Sequence, residues 1–318
     1  MDKQKMVGGL LGVAVGDALG VPVEFNSRSR LKADPVTGMT AFGTHHQPEG
    51  TWSDDSSLTF CLAESLCRGY DLRDIARRFV RWLDEAYWTP HGETFDIGNT
   101  TSQAISRLRS GVDPVEAGGR GERDNGNGSL MRILPVAFHF AASGTEEMLK
   151  ATHEISCVTH AHPRSQMACG LYNLMVVELL GGASPFEACH RAIESALQAY
   201  SDSPFSEELL HFERVLNGRI HEEPEDVIRS SGYVVHTLEA SIWTFLRASS
   251  FAEAVLTAVN LGEDTDTTGA VTGGLAGVYY GLEAIPKHWI DALARLPDIV
   301  ALGERLYSEI SSRRGADC

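Results

Sequence analysis

Two short clusters of acidic and hydroxyl side chains stand far apart in this chain of 318 residues, and neither contains a lysine or arginine. The first is the run Ser-Asp-Asp at 53–55, and the second is Asp-Thr-Asp-Thr at 264–267. Carboxylate and hydroxyl oxygens are the ligands that hard divalent cations such as Mg²⁺ and Mn²⁺ prefer. If the fold brings the clusters together, their four carboxylates repel one another or take up protons unless a cation neutralises them.

Helix capping is the alternative explanation for each cluster. An aspartate at an N-cap accepts backbone N–H groups, and acidic residues stabilise the first turn of a helix. A single Asp-Asp pair ahead of an apolar periodic segment therefore favours a cap. Two such clusters, each combining a hydroxyl with two acids, favour a shared metal site. A pair of Mg²⁺-type ions in that site would keep waters and activate one of them.

Composition places the chain among ordinary globular proteins and excludes some partners. Hydrophobic residues make up 43% and charged residues 22% of the chain, which is long enough to bury a large core. The net charge of −16 makes nucleic acids and anionic membranes poor partners. With no evident linker or repeat, we expect one domain over residues 1–318, and we expect it to be a monomer.

The cysteines and the N-terminal segment bear on location. The six cysteines are Cys61, Cys67, Cys157, Cys169, Cys189 and Cys318. They form no Cys-x-x-Cys pair, so zinc ribbons and thioredoxin-like sites have no support. Their scatter through apolar segments is typical of reduced core thiols, which predicts a cytoplasmic protein.

Residues 6–20 are apolar, but Asp17 interrupts them and no cleavage site follows, so we predict a buried helix rather than an export signal. No other apolar run is long enough to span a membrane.

Apolar residues recur at helical spacing along most of the chain. One example is Leu58, Cys61, Leu62 and Leu66, and further helices are predicted over 171–180, 234–246, 252–261 and the glycine-rich segment 271–280. Period-two strands are scarce; residues 133–140 fit a short strand or a helix, and 201–225 a surface connection or a weak helix. An all-α fold follows. The polar, glycine-rich connections at 28–52, 89–101, 118–129 and 261–268 are expected to carry functional residues.

Several other polar residues have a structural and a functional interpretation. Taken by itself, Glu24 is interpreted as a solvated glutamate after a helix, and Asp96 as a turn residue. Asp17 lies within an apolar helix, where a carboxylate needs a partner, so we predict a structural role. The loop 124–129 is either a surface turn or a nest of backbone N–H groups for an anion. His160 and His162 form a His-x-His pair, which suits a zinc or iron site of the amidohydrolase kind, but such sites need a barrel of strands.

Seven motifs in the same order resemble those of the ADP-ribosylglycohydrolases, of the dinitrogenase-reductase-activating glycohydrolase type. They cover nearly the whole chain: Gly-Asp-Ala-Leu-Gly at 16–20 with Glu24, Gly-Thr-Trp-Ser-Asp-Asp at 50–55, Asp-Ile-Gly-Asn-Thr-Thr at 96–101, Gly-Asn-Gly-Ser-Leu-Met-Arg at 126–132, Thr-His-Ala-His-Pro at 159–163, Gly-Tyr-Val-Val at 232–235 and Gly-Glu-Asp-Thr-Asp-Thr at 262–267. The resemblance implies a single compact orthogonal helical domain with two divalent cations, Mg²⁺ or Mn²⁺.

The resemblance also implies a role for each matching residue. Asp266 would bridge the two metals. Ser53 stands where many members have threonine, and Glu263 where many have glycine or asparagine. The implied catalytic residues are Glu24, Asp55 and Asp96; the implied substrate-binding residues are Gly126, Asn127, Gly128, Ser129, His160 and Tyr233, with Tyr233 stacking on adenine; the implied metal ligands are Ser53, Asp54, Asp55, Asp264, Asp266 and Thr267.

These implications predict a metal-dependent hydrolase that releases ADP-ribose from a modified protein side chain, with arginine as the favoured acceptor. Positive charge would develop at the ribose carbon, where nearby carboxylates would stabilise it and take a proton from water. Three alternatives stay open at this point. They are hydrolysis of another linkage such as serine or O-acetyl-ADP-ribose, a binder of ADP-ribose without activity, and an amidohydrolase-type enzyme that uses His160 and His162.

Overall fold

The chain folds into helices joined by turns and by several longer loops, as a computed structural model that describes residues 2–316 shows. No strand occurs within those residues, and isolated bridges such as Gly126 with Tyr233 pin individual loops together. The all-α prediction is therefore confirmed. The helices are α1 Lys3–Gly20, α2 Arg28–Ala33, α3 Asp54–Leu66, α4 Leu72–Glu85, α5 Asn99–Arg109, α6 Pro114–Ala117, α7 Leu134–Phe140, α8 Thr145–Cys157, α9 Pro163–Leu180, α10 Pro185–Ala199, α11 Glu213–Leu216, α12 Val234–Arg247, α13 Phe251–Asn260, α14 Thr265–Tyr280, α15 Lys287–Ala292 and α16 Leu296–Ala316.

Helices α1 and α14 pack antiparallel at the centre of the fold with their backbones in contact. A Cβ added to Gly12 would lie 2.1 Å from the carbonyl oxygen of Gly273, and one added to Gly16 would lie 2.0 Å from that of Gly269. Only glycine permits so close an approach of two helices. The register places the C-terminal end of α1 against the N-terminal end of α14, so Gly20 lies beside Asp266.

Helix α3 packs against both members of this pair and begins at the same end. The predicted apolar stripe of α3 is fully buried, and the indole of Trp52 just before it contacts Phe60 edge to face with ring centroids 5.5 Å apart. Burial of this stripe is the main source of stability for the helix. The fold thus gathers the starts of two helices, α3 and α14, around the end of α1.

The ambiguous segments resolve into helical structure. Residues 133–140 contain α7, which has Pro135 in its first turn, and 201–225 contain 3₁₀ turns around the short α11. Within residues 2–316 one helix, Lys3–Val23, is long and apolar enough to cross a membrane by length and composition, and 94% of its apolar window is buried inside the fold. The five described cysteines are free thiols, whereas Cys318 lies outside the described residues.

Candidate functional site

The two acidic clusters meet at one point, where the side chains of α3 and α14 face each other. The hydroxyl of Ser53 donates to Asp55 Oδ2 at 3.1 Å, and the hydroxyl of Thr267 donates to the same oxygen at 3.3 Å. One carboxylate therefore joins residues that are remote in the sequence. Asp54, Asp264 and Thr267 line the cleft above this junction.

Asp17 of α1 fixes the loop that carries the first cluster. Its carboxylate accepts hydrogen bonds from the backbone N–H of Ser53 at 2.9 Å, the backbone N–H of Ser56 at 3.0 Å and the hydroxyl of Ser56 at 2.6 Å. Burial raises the pKa of Asp17 to about 7, although these donors act in the opposite direction. The buried acid in an apolar helix thus has partners that position the start of α3.

Neutral groups fix the second cluster. The side-chain amide of Asn127 donates to Asp264 Oδ2 at 2.8 Å and to the hydroxyl of Thr237 at 2.9 Å. The backbone N–H of Asp264 donates to Ser230 O at 3.0 Å, and the hydroxyl of Thr265 donates to Gly20 O at 2.8 Å. The carboxylate of Asp264 is therefore held from the glycine-rich loop 126–128.

Two buried carboxylate oxygens at this junction have no hydrogen-bond partner among the described residues. They are Asp55 Oδ1 and Asp266 Oδ2. Burial first, and then the neighbouring carboxylates, hold the pKa values of Asp54, Asp55 and Asp266 well above their usual range. Buried acceptors without donors are costly unless a cation faces them. The donor set of carboxylate and hydroxyl oxygens therefore fits a hard divalent cation.

A histidine that the sequence analysis did not single out joins the acidic site. His45 Nε2 is hydrogen-bonded to the carboxylate of Glu24 and lies 3.9 Å from Asp96 Oδ1. Ligand atoms of Glu24, His45, Asp96 and Asp266 all lie within 4.8 Å of one another. His45 sits in an aperiodic loop outside every motif, and only the polar, glycine-rich character of 28–52 pointed to this region.

The pKa values of Glu24 and Asp96 are both raised into the neutral range. Burial, strengthened by the charge of Asp264, raises the pKa of Glu24 to about 8. Burial and the charge of Glu24 raise the pKa of Asp96 to about 7, and His45 opposes that shift. An acid or base is most effective when its pKa is close to the working pH. Both side chains line the cleft, so the structure places these predicted residues at the mouth of the acidic site.

The cleft has a volume of about 360 Å³, within the range of small-molecule sites. No lysine or arginine is among its lining residues in the described part of the chain, so its ionisable groups are four acids and His160. Of the predicted substrate residues, it contains Gly126, Asn127, Gly128 and His160. The lining residues are Glu24, Phe25, Asp54, Asp96, Ile97, Gly98, Asn99, Thr100, Thr101, Gly126, Asn127, Gly128, Met131, His160, Gly232, Asp264 and Thr267.

His160 presents its Nε2 to the cleft. The guanidinium of Arg132 donates to the Thr159 hydroxyl at 2.7 Å, and that hydroxyl is hydrogen-bonded to His160 Nδ1 at 2.8 Å. Burial, followed by the positive charge of Arg132, lowers the pKa of His160 to about 3. The imidazole is therefore neutral and held at Nδ1, and its Nε2 faces Gly126 and Gly128.

His162 lies in different surroundings from His160. Its Nδ1 caps α9 by accepting the backbone N–H of Arg164 at 3.2 Å, and its Nε2 is 3.7 Å from Glu122. His162 does not line the cleft, and the described residues contain no strands to build a barrel. The geometry therefore gives no support to an amidohydrolase site made from the His-x-His pair.

Two predicted substrate residues lie outside the cleft lining. The hydroxyl of Ser129 turns into the core, where it accepts a hydrogen bond from the hydroxyl of Ser156 at 3.0 Å. The hydroxyl of Tyr233 accepts from the guanidinium of Arg164 at 3.2 Å, and its half-buried ring follows Gly232 at the rim. The sequence pattern locates these residues near the site, but it does not determine where their side chains point.

The chain is similar to known proteins over nearly its whole length. The chain matches the family model of ADP-ribosylglycohydrolases over residues 2–316. It is 34% identical over 311 residues to ADP-ribosylarginine hydrolase Tri1 of Serratia proteamaculans (strain 568), covering 96% of this chain and 79% of that protein. It is 31% identical over 296 residues to ADP-ribosyl-[dinitrogen reductase] glycohydrolase of Rhodospirillum rubrum, covering 91% and 90%. A solved ADP-ribosylglycohydrolase-related protein complex superimposes with a TM-score of 0.81 and 34% identity, covering 97% of this chain and 98% of that chain.

Proposed function

The chain belongs to the ADP-ribosylglycohydrolase family, and from this membership we propose that it hydrolyses the bond between ADP-ribose and an arginine side chain of a modified protein. One observation carries the proposal: remote acidic clusters converge beneath a single cleft and leave two buried carboxylate oxygens without partners. The names of the relatives, which specify ADP-ribosylarginine or dinitrogen reductase, support the choice of an arginine linkage on a protein.

We propose that the facing clusters would hold two divalent cations, Mg²⁺ or Mn²⁺. When bound, such ions would act as Lewis acids that orient sugar hydroxyls and activate water. The unpartnered oxygens of Asp55 and Asp266 support this assignment, and so does the lack of lysine or arginine in the cleft lining within residues 2–316. The proposed ligands are Ser53, Asp54, Asp55, Asp264, Asp266 and Thr267.

The chain's own carboxylates would handle charge and protons during the reaction. Cleavage of the glycosidic bond develops positive charge on the ribose carbon, and an anionic cleft stabilises that charge. Glu24, with a pKa raised to about 8, is the proposed proton acceptor or donor, and the neighbouring Asp96 is proposed to orient the ribose or the attacking water. Bringing these groups to one point also lowers the entropic barrier.

The opposite side of the cleft is proposed to bind the diphosphate and the adenosine. Because no lysine or arginine of the described residues lines the cleft, N–H groups are the proposed donors to the phosphates. His160 Nε2 and the backbone N–H groups at Gly126 and Gly128 are placed to serve. The ring of Tyr233, held next to Gly232 by Arg164, is the proposed stacking surface for adenine.

The test is release of ADP-ribose from a protein ADP-ribosylated on arginine, measured with Mg²⁺, with Mn²⁺ and with EDTA. We expect release with at least one metal and its loss in EDTA, restored when metal is added back. Activity that is indifferent to chelation would contradict the metal-dependent mechanism. Tight binding of ADP-ribose with no release from arginine, serine or O-acetyl linkages would indicate a binder rather than an enzyme.

A further inference from the structure

Phe25 is a large apolar side chain on the rim of the cleft, directly after Glu24. Its side chain lines the cleft, and 70% of the residue is exposed to solvent. Apart from the ring of His45, with its centroid 6.1 Å away, its ring makes no aromatic contact in the described residues. Solvent exposure of this degree means that the ring adds little to the stability of the core.

The backbone at Phe25 adopts a conformation that disfavours phenylalanine. Glu24 has φ −51° and ψ 145°, Phe25 has φ 63°, and the N–H of Asn26 donates to Val23 O at 3.0 Å. These values describe a type II turn with Phe25 at its third position, where glycine or asparagine is preferred because φ is positive. A bulky residue in the left-handed region is strained, and such strain is found at functional sites.

The surroundings of Phe25 attract a cation. Glu24 and Asp96 lie on the same part of the cleft, with His45 between their carboxyl groups, and no lysine or arginine lines the cleft in the described part of the chain. The face of an aromatic ring also attracts cations, and a guanidinium group stacks on it especially well because it is planar and weakly hydrated. The exposed ring and the two neighbouring carboxyl groups therefore offer a flat surface with hydrogen-bond acceptors beside it, which suits a guanidinium group.

We propose that Phe25 is a specificity-determining residue whose ring supports the guanidinium of the ADP-ribosylated arginine and so favours cationic over neutral leaving groups. The inference rests on the proposed function, because it concerns the acceptor end of the same substrate. It accounts for a strained aromatic residue at a turn position that glycine would occupy with less strain.

The test compares Phe25→Leu, Phe25→Trp and Phe25→Gly with the unmodified protein on two substrates. One is an ADP-ribosylarginine substrate, and the other is O-acetyl-ADP-ribose, whose acetyl group carries no charge in the bound substrate. We expect Phe25→Leu to lower kcat/KM on the arginine substrate roughly three- to thirty-fold, mainly through KM, with little change on the neutral one. Phe25→Trp should retain or increase the preference, because indole is the strongest cation–π partner.

Phe42→Leu is the matched control. Phe42 is also exposed, at 63%, and also has a positive φ of 69°, but it does not line the cleft. We expect Phe42→Leu to leave the ratio of the two kcat/KM values unchanged. Thermal unfolding gives a readout that does not depend on activity: Phe25→Gly should keep or raise the melting temperature, since it relieves the turn, whereas a structural role predicts a fall.

The outcomes separate this proposal from the proposed function. If the unmodified protein cleaves the arginine substrate but Phe25→Leu has the same kcat/KM on it, the role of Phe25 is refuted and the function stands. An equal loss on both substrates, or a melting temperature that drops in Phe25→Gly, would also refute it. If the unmodified protein releases no ADP-ribose from arginine with either metal, the function itself fails.

Discussion

The two acidic clusters occupy equivalent places at the start of α3 and α14, yet different groups support them. A buried carboxylate, Asp17, holds the first through three hydrogen bonds, whereas the amide of Asn127 and backbone carbonyls hold the second. The first cluster therefore depends on one more negative charge in a site already crowded with carboxylates. The second is held by neutral groups that do not themselves titrate.

This difference separates two tasks that the site performs. Charged and uncharged supports both fix position, but only Asp17 adds to the repulsion that a bound cation would relieve. We therefore expect variants of the ligands to affect both clusters alike and variants of the supports to affect them differently.

The largest effect is expected from removing one aspartate from each cluster. Asp55→Ala and Asp266→Ala should each lower ADP-ribose release by roughly a hundredfold or more, with loss of bound metal in calorimetry. In metal-free buffer both variants should melt at a higher temperature, since each removes a buried acid with an unpartnered oxygen. Glu263→Ala, which removes an exposed acid beside the second cluster, is the control and should keep full activity. If only one of the two variants lost ADP-ribose release and bound metal, the two clusters would not form a joint site.

The next effect concerns the charged support. Asp17→Asn keeps the size of the side chain but replaces one accepting oxygen with an NH₂ group, which opposes either the N–H of Ser53 at one oxygen or the donors of Ser56 at the other. We expect a loss of about 1–3 kcal/mol in the free energy of unfolding, measured by chemical denaturation, together with reduced activity. Ser56→Ala, which removes one of the three hydrogen bonds, should cost only about 0.5–1.5 kcal/mol. If the two variants were equally stable, Asp17 would not be the anchor of the loop.

The neutral support should affect metal affinity more than stability. Asn127→Ala removes the donor that orients Asp264, and changes of this kind weaken metal binding by roughly ten- to a hundredfold. Titration of the metal by calorimetry measures this directly. Thr237→Val removes the other partner of the same amide and is the matched control, with a smaller expected effect. Unchanged metal affinity in Asn127→Ala would mean that the backbone alone positions the second cluster.

The sequence allowed prediction of the helices and of the acidic residues that meet in the site, because both depend on local patterns. Burial of Leu58 and Leu62 follows from helical spacing, and the acidic clusters are short contiguous motifs. His45 escaped prediction because its contact with Glu24 depends on how the loop 28–52 folds back, which no periodicity encodes. The hydroxyl of Ser129 shows the same limit: its motif places it near the cleft, whereas packing against α8 turns it inward.

The pH dependence of stability should follow from the raised pKa values. Glu24, at about 8 against an ordinary 4.5, and Asp17 and Asp96, at about 7 against 3.8, bind protons more tightly in the folded protein than in the unfolded chain. Unfolding therefore releases protons, so stability is greatest below the ordinary carboxyl range and falls as pH rises through about 8.

Thermal unfolding of the metal-free protein between pH 5 and pH 8.5 measures this dependence. We expect the melting temperature to fall across the range, and we expect saturating Mg²⁺ or Mn²⁺ to raise it more at the upper end. Glu24→Gln should flatten the part of the curve near pH 8. A melting temperature that rises with pH in the absence of metal would contradict the assignment of these carboxyls as protonated.

The smallest effect concerns the turns that lead into the two clusters. In the turn before the first cluster, Gly50 is the residue in the left-handed region, with φ 75°. A Cβ at this position would lie 1.8 Å from the carbonyl oxygen of Ala292, so only glycine fits there. Before the second, Glu263 has φ 63° although it carries a side chain, and its backbone is held by hydrogen bonds with Asn26 and Phe25. The second cluster therefore retains strain that a different residue would relieve.

Glu263→Asn should raise the free energy of unfolding by about 0.5–1 kcal/mol, because asparagine tolerates the left-handed region without the entropic penalty of glycine. Chemical denaturation measures the change. Glu263→Ala removes the same charge but keeps the unfavourable φ, so its stability should match that of the unmodified protein. Equal stabilisation by alanine would assign the effect to charge rather than backbone strain. Both variants should keep full activity, since the exposed side chain of Glu263 does not line the cleft.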